Sequence, residues 1–218
     1  MKKVIIIGAG GHAAEIRDYI MHYNKSQSYN SIEVIGYLDD DESNYHHYNY
    51  SEPYLGSIKE YKFDKSKFYL MGIANLAFRR TIIEKFLAAG AEFISLIHPT
   101  ALISPSAKIG KGVVISHNAS VGPKAIIGDY CVLNSRCTIG HDSVLGKYNF
   151  ISPQVAISGN TIIGNENMLG TNCCTIPSIK IGNRNKIAAG MVLYKSVGDG
   201  ETVLFRHKER LIIREVEK

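Results

Sequence analysis

The 218-residue chain lacks any apolar run near the length of a membrane span; its early run, Val4 to Ile7, is too brief even for a signal-peptide core. A soluble, cytoplasmic protein without a membrane partner is therefore the expectation. Its four cysteines, Cys131, Cys137, Cys173 and Cys174, include no CxxC pair, so no metal is expected, and a reducing compartment suits them. Charge is scarce as well. The formal excess of +5 suits a solvated surface that helps attract an anionic cofactor or nucleotide, and is too mild to imply a nucleic-acid partner. Nothing after residue 97 resembles a second nucleotide-binding half or a hydride-transfer site, which disfavours a dehydrogenase.

What the chain has instead is a period. Every sixth residue from Ile97 is aliphatic, through Ile103, Ile109, Ile115, Val121, Ile127, Leu133, Ile139, Leu145, Ile151, Ile157, Ile163 and Leu169; Thr175 breaks the run before Ile181, Ile187 and Leu193. With 45% of the chain hydrophobic, chance would fill only about half of these positions. A unit this short cannot bury its own side chain, so the repeat requires coils that stack and share one core. The fourth residue after each aliphatic one is small, as at Ala119, Ala125, Cys131, Cys137, Ser143 and Cys173, and is expected to point inward at a corner. Asn149, Asn167 and Asn185 are exceptions suited to turns. Glycine follows the aliphatic residue at Gly110, Gly122, Gly128, Gly140, Gly146, Gly164, Gly170 and Gly182, where a tight bend with positive φ is expected.

Before the repeat, Lys3 to Ile7 reads as a strand, Gly8-Ala9-Gly10-Gly11-His12-Ala13 as a glycine loop, and Ala13 to about Tyr23 as a helix. Such a loop brings a diphosphate to free N–H groups at a helix N-terminus, although glycines there also serve tight packing. A second strand, Glu33 to Leu38, ends in Asp39-Asp40-Asp41, suited either to a ribose or base or to the start of an acidic loop. A third, Phe68 to Ile73, leads to Asn75, a cap for a helix over Leu76 to Leu87. The order implies a small parallel sheet, too short for a complete dinucleotide domain.

His141 and His117 each stand two residues after an inward isoleucine, so each should point outward. One coil beyond His141 lies Gly159, which has no side chain to obstruct a ligand. The neighbouring Asp142 favours His141, since a carboxylate beside an imidazole fixes its tautomer for acid–base work, although a turn residue is the plainer reading.

The hexad pattern resembles the left-handed parallel β-helix of hexapeptide-repeat acyltransferases, three hexads to a coil, which implies five to six coils over residues 97–198. The Gly8-to-His12 loop, Asp39-Asp40, Leu96-Ile97-His98-Pro99-Thr100-Ala101 and Ile139-Gly140-His141-Asp142 together resemble bacterial acetyltransferases that modify sialic acid or nucleotide-linked amino sugars. The resemblance implies an α/β half-Rossmann domain (1–96), an all-β left-handed β-helix (97–198) and a tail or cap (199–218). It implies acetyl-CoA as co-substrate, a sugar amine or hydroxyl as acceptor, and a homotrimer with active sites between neighbouring solenoids. His141 is implied as general base, with Asp142 orienting it. Gly10, Gly11 and His12 are implied at the diphosphate, Asp39, Asp40 and Asn75 at the nucleotide, Asn134 near the sugar, and Gly159, Gly170, Ala188 and Ala189 along the pantetheine. Two positions differ from the family: Val203 to Lys208 replaces its usual exit from the repeat, and Phe150 stands where many relatives have a second histidine. Arg206, His207, Lys208 and Arg210 are alternative contacts for the anionic groups of CoA.

Two other readings follow from the same residues. A non-catalytic scaffold carrying a nucleotide-sugar sensor would account for Phe150 and the altered exit. A metal hydrolase would need three ligands per ion, and the spacings among His98, His117 and His141 are not multiples of a coil, so these histidines are not expected to stack.

Overall fold

The computed structural model describes residues 1–26 and 30–205. The first strands form a wholly parallel sheet in the order β2-β1-β3-β4, comprising β1 (Lys2–Ile7), β2 (Ile32–Leu38), β3 (Phe68–Met71) and β4 (Glu92–Phe93). Apolar Val4 to Ile7 make β1 the central strand, buried on both faces. Three helices accompany the sheet, α1 (Gly11–Ser26), α2 (Glu42–His47) and α3 (Leu76–Ala88). Asn75 caps α3, its side chain accepting from the Ala77 N–H at 3.0 Å. At the C-terminal end of β3 the sheet approaches α1 so closely that a Cβ on Gly72 would lie 2.8 Å from that of Ala13.

From β5 (Leu96–Ile97) onward the chain repeats two-residue strands at each hexad and pairs each with the strand eighteen residues on, for example Val132 with Phe150 and Leu133 with Ile151. Three parallel sheets result, the faces of a triangular solenoid and a hexapeptide-repeat left-handed β-helix. Ile115, Leu133, Ile151 and Leu169 are all wholly buried along one column. The cysteines read as corner residues, Cys131, Cys137 and Cys173, are buried as well. The last turn is shorter, sixteen residues separating Asn183 from Asp199, and it ends at a final strand, Thr202–Val203, beside Lys186. The basic tail residues Arg206, His207, Lys208 and Arg210 lie outside the described residues.

Two expectations are corrected. Positive φ falls not on the glycines but on the residue two later, as at Lys124 (56°), Asp142 (56°), Glu166 (61°) and Arg184 (57°). The glycines are needed because coils meet there: a Cβ on Gly128 would lie 2.5 Å from the Gly146 carbonyl carbon. Asn149, Asn167 and Asn185, read as suited to turns, instead form a buried stack. Each amide oxygen accepts from backbone one coil on, Asn149 from the Asn167 N–H at 2.8 Å and Asn167 from the Asn185 N–H at 2.9 Å. Their amide nitrogens donate to inward carbonyls, Asn149 to Gly164 at 2.7 Å and Asn167 to Gly182 at 2.9 Å.

The N-terminal domain covers one solenoid face. On that face Val114, Val132 and Phe150 point outward into a cluster with Ile16, Tyr19 and Ile20 of α1. From α3, Arg79 is wholly buried without a carboxylate partner and donates to the Ile73 carbonyl at 2.9 Å and the Tyr130 carbonyl at 3.5 Å. Burial lowers its pKa to about 10, which leaves it charged at neutral pH. Arg80 reaches Glu166 of the solenoid at 2.7 Å.

Replacing Asn167 with alanine removes the partners of the Asn185 N–H and the Gly182 carbonyl. The expected loss is about 1–3 kcal/mol for each orphaned group, read as a lower midpoint in denaturant unfolding.

Candidate functional site

Two places combine concavity or exposure with chemistry. The first is a cleft of about 770 Å³ at the C-terminal ends of β1, β2 and β3, where successive connections leave the sheet in opposite directions. It gathers Gly10, Gly11, His12, Asp39, Asp40 and Asn75. Asp39 is committed to shaping the loop, its carboxylate accepting from the Ala9 N–H at 2.7 Å and the Asp41 N–H at 3.0 Å. Tyr50 holds the same loop from its carbonyl side, donating to the Ala9 oxygen at 3.1 Å. Asp40 accepts from the Ser57 hydroxyl at 2.6 Å and the Lys59 N–H at 3.2 Å. Burial raises its pKa, but the Ser57 and Lys59 hydrogen bonds and the Lys59 charge outweigh that, so it is lowered overall. The His12 side chain is nearly buried, edge-on to Phe150 at 6.0 Å, with Nδ1 3.2 Å from Glu15 and no described partner for Nε2.

Sequence reasoning missed Lys59, Phe78, Thr81 and Lys85, which also line the cleft. Phe78 and Thr81 stand three apart on α3, and that spacing was the available signal; Lys59 comes from a loop that has none. The two lysines supply positive charge where an anion would sit.

The second place is a solenoid corner. The His141 ring stands outward, 61% exposed, with Nδ1 2.8 Å from the Asp142 carboxylate. The left-handed backbone of Asp142 turns its side chain back toward its neighbour. A carboxylate can only accept there, so Nδ1 carries the proton and Nε2 the lone pair, a tautomer assigned from the hydrogen bond. Beneath Nε2 lies Gly159, whose added Cβ would come within 2.6 Å. The backbone N–H groups of this corner lack the side-chain caps found at several positions of one other corner. At the Lys111 and Lys147 positions, the N–H donates to an Asp129 or Asn165 side chain one coil on, at 3.0 and 2.7 Å. One coil beyond His141 and Gly159 stand Gly159 and Pro177, which offer no acceptor, and among the described residues neither N–H has a partner.

Asn134 is on a different corner from His141, its amide oxygen accepting from the Ser135 N–H at 3.0 Å. Gly170, Ala188 and Ala189 share that corner, while Gly159 stands at the His141 corner. Within one chain the structure therefore does not bring Asn134 beside His141. Nor does it bring the cleft there: the N-terminal domain covers the face opposite the His141 corner.

His117 packs against Tyr19 and His98, each with ring centroids 5.9 Å away, and has no carboxylate beside it. The His98 and His117 rings meet edge-on without stacking, since adjacent columns on successive coils are neighbours. His22 joins them 5.2 Å from His98. Among the described residues no three His, Cys, Asp or Glu side chains converge as a metal site. Phe150 lies in the interdomain seam and not at the His141 corner.

The PglD N-terminal domain family matches residues 3–86, and the bacterial transferase hexapeptide family (six repeats) matches residues 106–141. UDP-N-acetylbacillosamine N-acetyltransferase of Bacillus subtilis (strain 168) is 31% identical over 119 residues, 53% of this chain and 51% of that protein, so the match spans about half the length of that relative. The acetyltransferase domain of PglB from Neisseria gonorrhoeae FA1090 is similar in structure, with a TM-score of 0.80 and 30% identity over 93% of this chain and 96% of that one. The same domain in complex with acetyl coenzyme A gives a TM-score of 0.79 at 30% identity over 92% and 95% of the two chains. PerB from Caulobacter crescentus, in complex with CoA and GDP-perosamine, shares the fold at 23% identity, with a TM-score of 0.77 over 93% of each chain.

The histidine cluster has a pH signature. Burial, then the charges of His22 and His117, lower the His98 pKa. The unfolded chain therefore binds more protons below about pH 6.5, and stability falls as pH drops through that value. In a His98→Gln variant the melting temperature should fall less than in the wild type between about pH 7.5 and 5.5.

Proposed function

The chain belongs to the hexapeptide-repeat acetyltransferases that carry a PglD-type N-terminal domain, and from that premise we propose that it transfers an acetyl group from acetyl-CoA to the amine of a nucleotide-linked amino sugar. One observation carries the reading: His141, oriented by Asp142, exposes Nε2 over a glycine with an outward, unpartnered N–H. An amine over sialic acid's hydroxyl as acceptor is favoured by the relative named for N-acetyl transfer to a UDP-linked sugar.

Acetyl-CoA supplies an activated acyl group on a good leaving thiol. In this reading His141 Nε2 accepts a proton from the attacking amine, and Asp142 stabilises the imidazolium that forms. The Gly159 N–H is placed to donate to a carbonyl oxygen as negative charge gathers on it, a contact that strengthens toward the transition state. The bare surface at Gly159 suits a slender pantetheine arm. In the cleft, the free N–H groups at the start of α1, with Lys59 and Lys85, suit a diphosphate, and Asp40 and Asn75 suit the nucleoside.

Because the cleft and the His141 corner lie on opposite sides of one solenoid, the acceptor held by one chain would meet His141 of a second copy. A homotrimer of parallel prisms provides that arrangement, with Asn134, Gly170, Ala188 and Ala189 of one copy facing His141 and Gly159 of the next. Ile126 and Ile162, exposed apolar residues on a face flanking the His141 corner, suit burial between copies.

His141→Ala should lower thiol release from acetyl-CoA with UDP-linked amino sugars by about 10²- to 10⁴-fold. Unchanged turnover would remove His141 from the chemistry, and a wild type inert toward every such sugar would favour a sensor. Mixed oligomers give a second test. Nothing lies within 4 Å of a Cβ built on Gly10, so Gly10→Phe should fill the cleft without unfolding the loop. Co-expressed Gly10→Phe and His141→Ala chains should regain activity that neither has alone; failure to do so would place cleft and base in the same chain.

A further inference from the structure

We infer that Thr175, acting through Ser158, is a positioning residue that sets the Ser158–Gly159 peptide over the His141 ring, and so fixes the N–H offered to the acyl carbonyl. The inference rests on the acetyl-transfer reading and assigns a role to the one residue that breaks the aliphatic column. Thr175 points into the core, 5% exposed, where isoleucine or leucine would otherwise stand.

On this side of the solenoid the residue after each inward aliphatic donates its N–H to the carbonyl one coil on. Ser104 donates to Val121 at 2.9 Å, Gly122 to Ile139 at 2.8 Å and Gly140 to Ile157 at 2.7 Å. At Ser158 the bond is exchanged. The Ser158 N–H donates to the Thr175 hydroxyl at 2.9 Å, and the Ser158 hydroxyl donates to the Thr175 carbonyl. Here the strands share a single paired position, Ala156 with Cys174, whereas the pairs on either side share two. Among the described solenoid strands this opening occurs at one place, and that place adjoins Gly159.

The rest of the peptide is pinned from within. The Ser143 hydroxyl donates to the Ser158 carbonyl at 3.1 Å and accepts from the Thr161 N–H at 3.2 Å. The Thr161 and Thr175 hydroxyls lie 3.4 Å apart. In a trans peptide C=O and N–H point in opposite directions, so a Ser158 carbonyl turned inward to Ser143 turns the Gly159 N–H outward, beside Nε2 of His141. Valine has the shape of threonine and would suit the core better, yet it cannot accept the Ser158 N–H. The regular bond to the residue 175 carbonyl would return, and the peptide would move with it.

Thr175→Val, Thr175→Ser and Ser158→Ala are compared with wild type and His141→Ala in turnover, in affinity for acetyl-CoA relative to CoA, and in melting temperature. Thr175→Val should melt at or above the wild-type temperature, lose kcat by about 10- to 100-fold, as a small misplacement of a reacting group does, and lose its preference for acetyl-CoA over CoA. Thr175→Ser, which keeps the hydroxyl, should stay within about threefold of wild type. Wild-type kcat in Thr175→Val overturns the inference, as does an equal loss in Thr175→Val and Thr175→Ser with a lowered melting temperature, the mark of a purely structural role. Should Thr175→Val not fold, Ser158→Ala decides by the same readouts. An active wild type that His141→Ala silences, beside an unaffected Thr175→Val, sinks this inference alone; an inactive wild type sinks it together with the transfer reading.

Discussion

The parallel backbone ladder between coils eighteen residues apart is the constraint on which everything else in the solenoid rests. Each coil contributes only two-residue strands, which have no stability alone and persist because those within the stack are paired above and below. A slip of one residue would turn the inward aliphatics to solvent, at a cost of about 1.5–3 kcal/mol for each large side chain, so the phase is held strictly. Departures are confined to the last turn, where Asn183 meets Asp199, and to the Ser158–Thr175 exchange.

The ladder converts spacing in sequence into neighbourhood in space. It puts Gly159 beneath His141, lines up Asn149, Asn167 and Asn185, and lets those asparagines satisfy corner carbonyls that a purely apolar core would leave without partners. An orphaned buried polar group costs about 1–3 kcal/mol, comparable to what burying one aliphatic side chain contributes. A polar stack inside the core is thus compatible with stability, provided that it is complete. The hydroxyl group of Ser143, Ser158, Thr161 and Thr175 meets the same condition by a different chemistry.

The hexads were legible because a period shows itself within a few residues, and the strand–loop–helix start was legible from Val4 to Ala13 and from the Asn75 cap. Less was legible where the reason for a residue lies a coil away. The glycines invite a local explanation, a bend, whereas the space they leave is for Gly146 above Gly128. The asparagines invite a turn, and only their common spacing of one coil reveals a stack. His98 and His117 defeat the simple column rule because positions one coil and one residue apart also touch. The covered face did have a signal that went unread: Leu96, Val114, Val132 and Phe150 are apolar at outward positions one coil apart, a stripe that only a second domain would bury. Lys59 and Lys85 had none, since a loop residue and a helix-end residue meet only through the tertiary fold.

The His141–Asp142 pair then needs no special backbone. Asn118, Arg136, Asn160 and Arg184 adopt the same left-handed turn as Asp142, and the residue before each stands outward in the same way. The scaffold therefore offers many equivalent corners, and in the proposed reading chemistry enters by choice of side chain at one of them: an imidazole, a carboxylate after it, and no side chain one coil on. At several other positions the outward N–H is capped by Asp129, Asn165 or Asn183, or, in the His141 column itself, removed by proline at Pro123 and Pro177. Among the described residues His117 and Thr171 keep theirs free as well, so what sets the His141 position apart is the imidazole–carboxylate pair beside its free N–H groups. Rigidity shared along the whole stack holds these groups in place, so in the proposed reading preorganisation would come from the fold and specificity from the domain on the opposite face. One chain holds the cleft and the His141 corner on opposite sides of its own solenoid, and on that reading assembly would be a condition of function.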